Sequence, residues 1–146
     1  MKILVVEDQP AKAADIEEFL KKSFNCSISF SGSFVEAQHM LSTDQFDWVV
    51  LDISIPFEGQ LDVGSEAEIE PLGGKLLLRE ASARGWNVKF VVFTQYPVLD
   101  PDGERLSLHD LESESMAEVG SMFKGVVFYT RGSTAWMDKL RDIMRK

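Results

Sequence analysis

The stretch FDWVVLDISIP, residues 46–56, places four consecutive apolar side chains immediately before an aspartate. The apolar run covers residues 48–51, the aspartate is Asp52, and Pro56 follows four positions later. A continuous apolar run of this length is typical of a strand that is buried on both faces of a parallel sheet. Asp52 then stands at the carboxyl end of the strand, which is where open α/β sheets bind their ligands.

Similar short apolar runs alternate with stretches of helical period along the whole chain. This alternation predicts an α/β fold, with a doubly wound, five-stranded parallel sheet that is covered by helices on both faces. The second run differs from the others because polar and apolar residues alternate in it, which favours a position at the edge of the sheet. The predicted strands comprise residues 2–6, 26–30, 47–51, 89–93 and 126–130.

Helix signals separate these strands. Pro10 suits the first position of a helix, and Ser33 with Glu36 three residues later forms a capping box. The other three helices are expected over residues 74–84, over residues 107–122, and from Ser133 or Thr134 onward. The predicted apolar stripes are Ala13, Ile16, Phe19 and Leu20 on the first helix, and Trp136, Leu140, Ile143 and Met144 on the last.

Composition narrows the classes of function. A chain of 146 residues with 45% hydrophobic residues fits a single domain over 1–146 without an output domain. The net charge of -9 would repel nucleic acid and anionic membranes. The apolar runs are too short for a membrane span or a signal peptide, so we expect a cytoplasmic protein. We also expect it to bind neither nucleic acid nor membranes directly. Cys26 is the single cysteine, which excludes an internal disulfide and indicates a small core side chain.

Two connections, at about 57–73 and 95–106, are longer than an α/β fold needs. The first contains five acidic residues and no basic residue. A solvated surface loop is one interpretation of each connection. A lid or a partner contact is the other, because both connections follow strands at their carboxyl ends.

Polar side chains lie at the carboxyl ends of three predicted strands. Glu7 and Asp8 follow the first strand, Asp52 follows the third and Thr94 the fourth. Carboxylates that lie close together are costly unless a cation neutralises them, and oxygen ligands without a nearby His or Cys favour Mg2+ over Zn2+. Each residue also has a structural interpretation: Asp8 as a helix cap, Asp52 as a turn cap, and Thr94 as a strand residue.

Three segments resemble the receiver domain of bacterial two-component response regulators. KILVVEDQP at 2–10 is similar to the first strand of that family with its paired acids. VVLDISIP at 49–56 is similar to the strand that bears the phosphorylated aspartate, and FVVFTQY at 90–96 to the strand that bears a hydroxyl residue. The resemblance covers essentially the whole chain in the same order. It implies a flavodoxin-like sheet of strand order 2-1-3-4-5.

The resemblance also implies a set of site residues. Asp52 is implied as the phosphoryl acceptor, and Thr94 as the donor of a hydrogen bond to the phosphoryl group. Mg2+ is implied as the cofactor, bound by Asp8, Asp52 and the backbone carbonyl of Ser54, with Glu7 acting mainly through water. This agrees with phosphoryl-transfer chemistry, because a metal that screens charge repulsion allows a carboxylate to attack a phosphoryl group.

The chain departs from that family at the end of the fifth predicted strand. Receivers normally carry a lysine there, which pairs with the phosphoryl group, whereas GVVFYTRGST at 125–134 contains none. Tyr129, Thr130 or Arg131 occupies the lysine position. Arg131 is a candidate substitute for its charge, although a guanidinium is not interchangeable with an ammonium. The alternative interpretation of Arg131 is an exposed residue at the entry of the last helix.

Three functions follow as hypotheses. The first is a stand-alone receiver, not otherwise an enzyme, which accepts a phosphoryl group from a histidine kinase or phosphotransfer protein and signals to a downstream protein. Receiver domains often pair through the face of helix four, strand five and helix five, so a homodimer is included among its partners. The second is an atypical receiver that binds a partner without phosphorylation. The third is an aspartate-nucleophile phosphohydrolase, which needs a second acid two residues after the nucleophile, where this chain has Ser54.

Overall fold

The strands and helices follow one another in the predicted alternation. The structure is a computed structural model that describes residues 1–58, 73–95, 98–99 and 105–145. The strands are β1 Lys2–Val6, β2 Ser27–Ser31, β3 Trp48–Asp52, β4 Lys89–Thr94, β5 Val98–Leu99, β6 Arg105–Leu106 and β7 Phe123–Phe128. The helices are α1 Pro10–Ser23, α2 Phe34–Thr43, α3 Gly73–Arg84, α4 Leu108–Val119 and α5 Ala135–Met144.

Five strands form one parallel sheet in the order β2-β1-β3-β4-β7. Since β7 is the fifth strand of this sheet, the predicted order 2-1-3-4-5 is confirmed. The predicted edge position of the alternating second strand is confirmed as well. Asp52 pairs in register with Phe93, and Thr94 with Phe128. All these strands run in the same direction, so the polar residues at their carboxyl ends lie at the same end of the sheet.

Apolar side chains on the two faces of the sheet pack against different helices. Ile3 and Val5 belong to a buried cluster with residues of α1 and α5, and Leu4 and Val6 to a second cluster with residues of α2, α3 and α4. The doubly wound arrangement is therefore confirmed. The predicted stripe of α5 is buried throughout: Trp136, Leu140, Ile143 and Met144. Each such side chain contributes about 1.5–3 kcal/mol to folding, which is why the two apolar faces determine the sheet.

The boundaries around β7 differ from the prediction. Helix α4 ends at Val119 and not at residue 122, because Gly120 adopts a φ of 59° that breaks the helix. Strand β7 begins three residues earlier than predicted and ends at Phe128. Gly125 lies within it, and a Cβ atom there would be 2.7 Å from the Cδ1 of Ile143. The missing side chain thus allows α5 to pack closely on this strand.

Helix α2 begins with the predicted N-cap, but its capping box is incomplete. Ser33 caps α2 by accepting a hydrogen bond from the Glu36 amide, but the Glu36 carboxylate accepts from Gly32 and not from Ser33. Cys26 is half-buried and packs at the border of the core cluster next to α1.

Residues 59–72, most of the first long connection, lie outside the described residues. In the second connection, β5 and β6 form a short antiparallel pair where a loop was predicted.

No helix in the described ranges combines the length and the apolarity that a membrane span requires.

Candidate functional site

Three carboxylates converge where β1 and β3 end. Glu7, Asp8 and Asp52 each place one oxygen within 4.8 Å of the others. Glu7 and Asp52 are buried, with exposed fractions of 6% and 5%, whereas Asp8 is exposed. The convergence follows from the parallel pairing of β1 with β3, because residues just beyond the paired ends occupy the same edge. The structure thus brings together all the carboxylates that the strand ends predict.

A buried lysine lies among these carboxylates. The Lys12 Nζ is 2.8 Å from the Oε1 of Glu7 and 3.2 Å from the Oδ2 of Asp52. Only the Asp52 contact has hydrogen-bond geometry. Lys12 is 3% exposed, and its ammonium lies 5.3 Å from the centre of the Phe93 ring. The ammonium therefore neutralises one carboxylate charge in a place that water hardly reaches.

The sequence prediction missed Lys12, although a signal for it exists. Lys12 lies four residues before Ile16 and eight before Leu20, so all three share the buried face of α1. The predicted stripe began instead at Ala13, which is only half-buried. A charged residue at a core position of an amphipathic helix calls for a buried partner of opposite charge. Asp52 and Glu7 are those partners.

Hydrogen bonds orient the two buried carboxylates. The Oδ1 of Asp52 accepts from the Ser54 amide at 2.9 Å, so Asp52 caps the turn after β3 as its structural interpretation predicted. The Oε2 of Glu7 accepts from the Gln9 amide at 3.0 Å. The N-cap of α1 is Gln9, which makes no side-chain capping hydrogen bond, so the capping interpretation of Asp8 is wrong. Asp8 is left as an exposed carboxylate at the rim of the site.

The end of β7 holds a tyrosine beside this site. Thr94 is buried, and its carbonyl accepts a hydrogen bond from the Tyr129 amide at 2.7 Å. Tyr129 is therefore the residue that follows β7 directly, and the family resemblance implies a lysine at this strand end. Arg131 is exposed in the turn that follows. Among the residues that the structure describes, the cation that contacts Asp52 is the ammonium of Lys12.

Burial shifts two pKa values at the site. Desolvation, and next the negative charge of Asp52, raise the pKa of Glu7 to about 7 against the opposing effect of Lys12. Burial and a hydrogen bond donated to Asp15 raise the pKa of Tyr129 to about 12. Glu7 thus exchanges its proton near neutral pH, whereas Tyr129 keeps its own.

Comparisons with known proteins agree on the fold. Among solved structures, the response regulatory domain of mrkE from Klebsiella pneumoniae is 16% identical, with a TM-score of 0.64 over 99% of this chain and 93% of that one. TrrA from Thermotoga maritima, solved in complex with Mg2+ and BeF, is 18% identical, with a TM-score of 0.64 over 97% of each chain. The chain has the receiver-domain fold.

Sequence comparison adds little to this. No family profile matches the chain. The uncharacterized protein y4jR of Sinorhizobium fredii is 19% identical over 144 residues, which is 97% of this chain and 95% of that protein. The solved structures show the fold alone at these identities, so the chemistry of the site is argued from its own residues.

The acidic cluster of this receiver fold suits a magnesium ion. Ligand oxygens about 2.1 Å from an octahedral Mg2+ lie about 3–4 Å apart, and the three carboxylate oxygens lie within 4.8 Å of one another. Three carboxylates and the ammonium of Lys12 give the site a formal charge of -2, which the ion would balance. Glu7, Asp8 and Asp52 would hold it. The predicted ligand role of the Ser54 carbonyl stays a prediction.

Glu7 makes the stability of the metal-free protein depend on pH. Its folded-state pKa of about 7 lies above the ordinary value of 4.5, so the folded protein binds the proton more tightly than the unfolded chain does. Its contribution is fully present below pH 4.5 and is lost as the pH rises to about 7. We expect a loss of up to about 3 kcal/mol of unfolding free energy.

Urea unfolding in EDTA at pH 5 and pH 8 measures this difference, with Glu7→Gln as the control because glutamine cannot titrate. The loss of stability between the two pH values should be smaller in Glu7→Gln. Equal losses in the two proteins would contradict the raised pKa.

Proposed function

We propose that this chain is a receiver that accepts a phosphoryl group on Asp52 in the presence of Mg2+ and signals through protein contacts. The donor would be a phosphohistidine of a histidine kinase or a phosphotransfer protein. TrrA, which shares this fold, is solved with Mg2+ and BeF. The observation that carries the proposal is the group formed by Asp52, Glu7 and Asp8 at one edge of the sheet, with an ammonium beside it.

Asp52 would be the nucleophile of this transfer. It ends β3 and its Oδ1 is held by the Ser54 amide, so the carboxylate plane has a defined orientation. In the reaction, a carboxylate oxygen forms the new O–P bond while the N–P bond of phosphohistidine breaks, and the bonding electron pair stays on the imidazole nitrogen. Mg2+, when bound, supplies charge neutralisation for the phosphoryl oxygens. Thr94, which ends the neighbouring strand, would donate a hydrogen bond to one of them.

The second candidate function is a receiver that binds its partner without phosphorylation. Two observations favour it: Asp52 is 5% exposed, and its Oδ2 already has the ammonium of Lys12 as a partner. A carboxylate that is neutralised within the protein is a weaker nucleophile than a free one. In this candidate, the ion pair between Lys12 and Asp52 is structural and stabilises the strand ends.

A phosphohydrolase has less support. The position two residues after Asp52 holds Ser54, which cannot donate a proton to a leaving group as a carboxylic acid does. The structural relatives described above are signalling domains. We therefore expect no turnover of phosphate esters beyond the slow hydrolysis of an aspartyl phosphate.

Labelling by acetyl phosphate with Mg2+ tests the proposed function. Intact mass spectrometry should show one added phosphoryl group on the wild type and none on Asp52→Ala. The variant should stay folded, because Lys12 keeps its contact with Glu7 at 2.8 Å. Asp142→Ala, which removes an exposed carboxylate from α5, is the matched control and should label like the wild type.

Two results would decide between the candidates. Absence of label on the wild type, together with binding of a partner that is the same for wild type and Asp52→Ala, favours the phosphorylation-independent function. Equal labelling of wild type and Asp52→Ala would place the acceptor at another residue and contradict the proposal.

A further inference from the structure

Lys12 has no counterpart among the residues that the family resemblance implies. It extends from α1, whereas the lysine of receivers extends from the end of the fifth strand. Its side chain is 3% exposed, and its ammonium contacts the predicted phosphoryl acceptor, Asp52, at 3.2 Å. A lysine is rarely buried without a strong reason, because removing an ammonium from water is costly.

The residue at the usual lysine position cannot supply a positive charge. Tyr129 follows β7 directly, and its hydroxyl donates a hydrogen bond to Asp15 at 2.7 Å. Its ring centre lies 5.7 Å from the Lys12 Nζ. The Tyr129 ring therefore lies beside the ammonium. Its hydrogen bond to Asp15 connects the end of β7 to the turn of α1 that follows Lys12. Arg131 lies beyond it, exposed.

We propose that Lys12 performs, from α1, the task of the missing strand-five lysine: it binds the oxygens of the phosphoryl group carried by Asp52. This rests on the proposed function. The rings of Phe93 and Tyr129 confine the ammonium, so it stays beside Asp52. Tyr129 acts as a positioning residue, since its bond to Asp15 fixes α1 against the sheet.

Lys12 should affect the binding of Mg2+ and the binding of an anion in opposite directions. Lys12 contacts an oxygen of Glu7 and an oxygen of Asp52, and both residues are predicted to ligate Mg2+. The ammonium therefore opposes binding of the bare ion but favours binding of the anion that follows. Removing it should change the two affinities in opposite directions, whereas a general loss of structure would weaken both.

Titrations with MgCl2 alone, and then with beryllofluoride at saturating Mg2+, test the proposal on the intact chain. For Lys12→Met, we expect Mg2+ to bind about tenfold more tightly, because one positive charge has been removed beside the ligands. Beryllofluoride, followed by 19F NMR, should bind about 10- to 100-fold more weakly, which is the usual worth of a charge-assisted hydrogen bond. Lys12→Arg should recover part of the anion affinity. Arg131→Met, the matched control, should bind both probes like the wild type.

A second pair of proteins keeps the test valid if Lys12→Met does not fold. The double variant Glu7→Gln with Lys12→Met removes one negative and one positive charge together, and it is compared with Glu7→Gln alone. The double variant should again bind beryllofluoride about tenfold or more weakly.

Three outcomes are distinguishable. Wild type that binds no beryllofluoride would overturn the proposed function and this inference with it. If the wild type binds beryllofluoride and Lys12→Met binds it equally well, only the role of Lys12 is overturned. The same holds if the double variant binds it as well as Glu7→Gln does. Loss of beryllofluoride binding in Arg131→Met alone would assign that role to Arg131.

Discussion

Lys12→Met is expected to lower the free energy of unfolding by about 3–5 kcal/mol, the usual cost of removing one partner from a buried ion pair. Methionine fills a similar volume, so the loss comes mainly from charge. Without the ammonium, the carboxylates of Glu7 and Asp52 face each other with exposed fractions of 6% and 5%. Neither Mg2+ nor phosphoryl donor is needed for the measurement, which is urea unfolding in EDTA.

The pH dependence identifies the origin of this loss. Lys12 lowers the pKa of Glu7, so its removal raises that pKa further and leaves Glu7 protonated over a wider range. The destabilisation should then be smaller at pH 6 than at pH 8.5, where Glu7 is more fully deprotonated. Lys139→Met, which replaces an exposed lysine of α5, should change stability by less than about 0.5 kcal/mol at either pH. A Lys12→Met protein as stable as Lys139→Met would show that the buried pair does not stabilise the fold.

Gly74→Ala is expected to destabilise the protein by about 3 kcal/mol or more, since it places a methyl group in occupied space. A Cβ atom at Gly74 would lie 2.5 Å from the Cα and 2.7 Å from the carbonyl oxygen of Ile53. These are backbone atoms that cannot rotate away. The amide of Gly74 donates to that same carbonyl, so the first turn of α3 is bonded directly to the residue after Asp52. Thermal and urea unfolding measure the loss.

Gly32→Ala is the matched control for this substitution. A Cβ atom there meets its nearest neighbour, the Cα of Asp8, at 3.8 Å, which is ordinary van der Waals contact. We expect a change of less than about 1 kcal/mol. Equal effects at the two glycines would contradict the close contact between α3 and the end of β3. Because that contact borders Asp52, Gly74→Ala should also slow labelling by acetyl phosphate, whereas Gly32→Ala should not.

The order and type of the main elements were predictable because they depend on local pattern. Four nearly continuous apolar runs can be buried only within a parallel sheet, and the alternating second run fits an edge. The boundaries were predicted less well. Helix α4 ends at Val119, where Gly120 adopts a φ of 59°, and β7 begins at Phe123 and contains Gly125, which leaves room for Ile143. These depend on conformations and contacts that residue type alone does not specify.

The carboxylate group was also predictable in outline. Parallel strands present their carboxyl ends at one edge, so acids after β1 and β3 had to lie near each other. The cation beside Asp52 was not predicted, because Lys12 and Asp52 are 40 positions apart and nothing in the sequence associates them. The role of Arg131 as a substitute for the strand-five lysine stays a prediction.

The amino-acid sequence by itself determined the α/β alternation, the edge strand and the three acids, since apolar periodicity and strand polarity are properties of neighbouring residues. Only the tertiary structure decided which cation neutralises Asp52 and why α3 begins with two glycines. Both depend on distances between segments that are remote along the chain: Lys12 reaches β3 because α1 packs across the sheet, and Gly74 meets Ile53 because α3 lies against the end of β3. Burial gives each contact a large effect on the free energy of folding, because water can neither solvate the charge of Lys12 nor accommodate a methyl group at position 74.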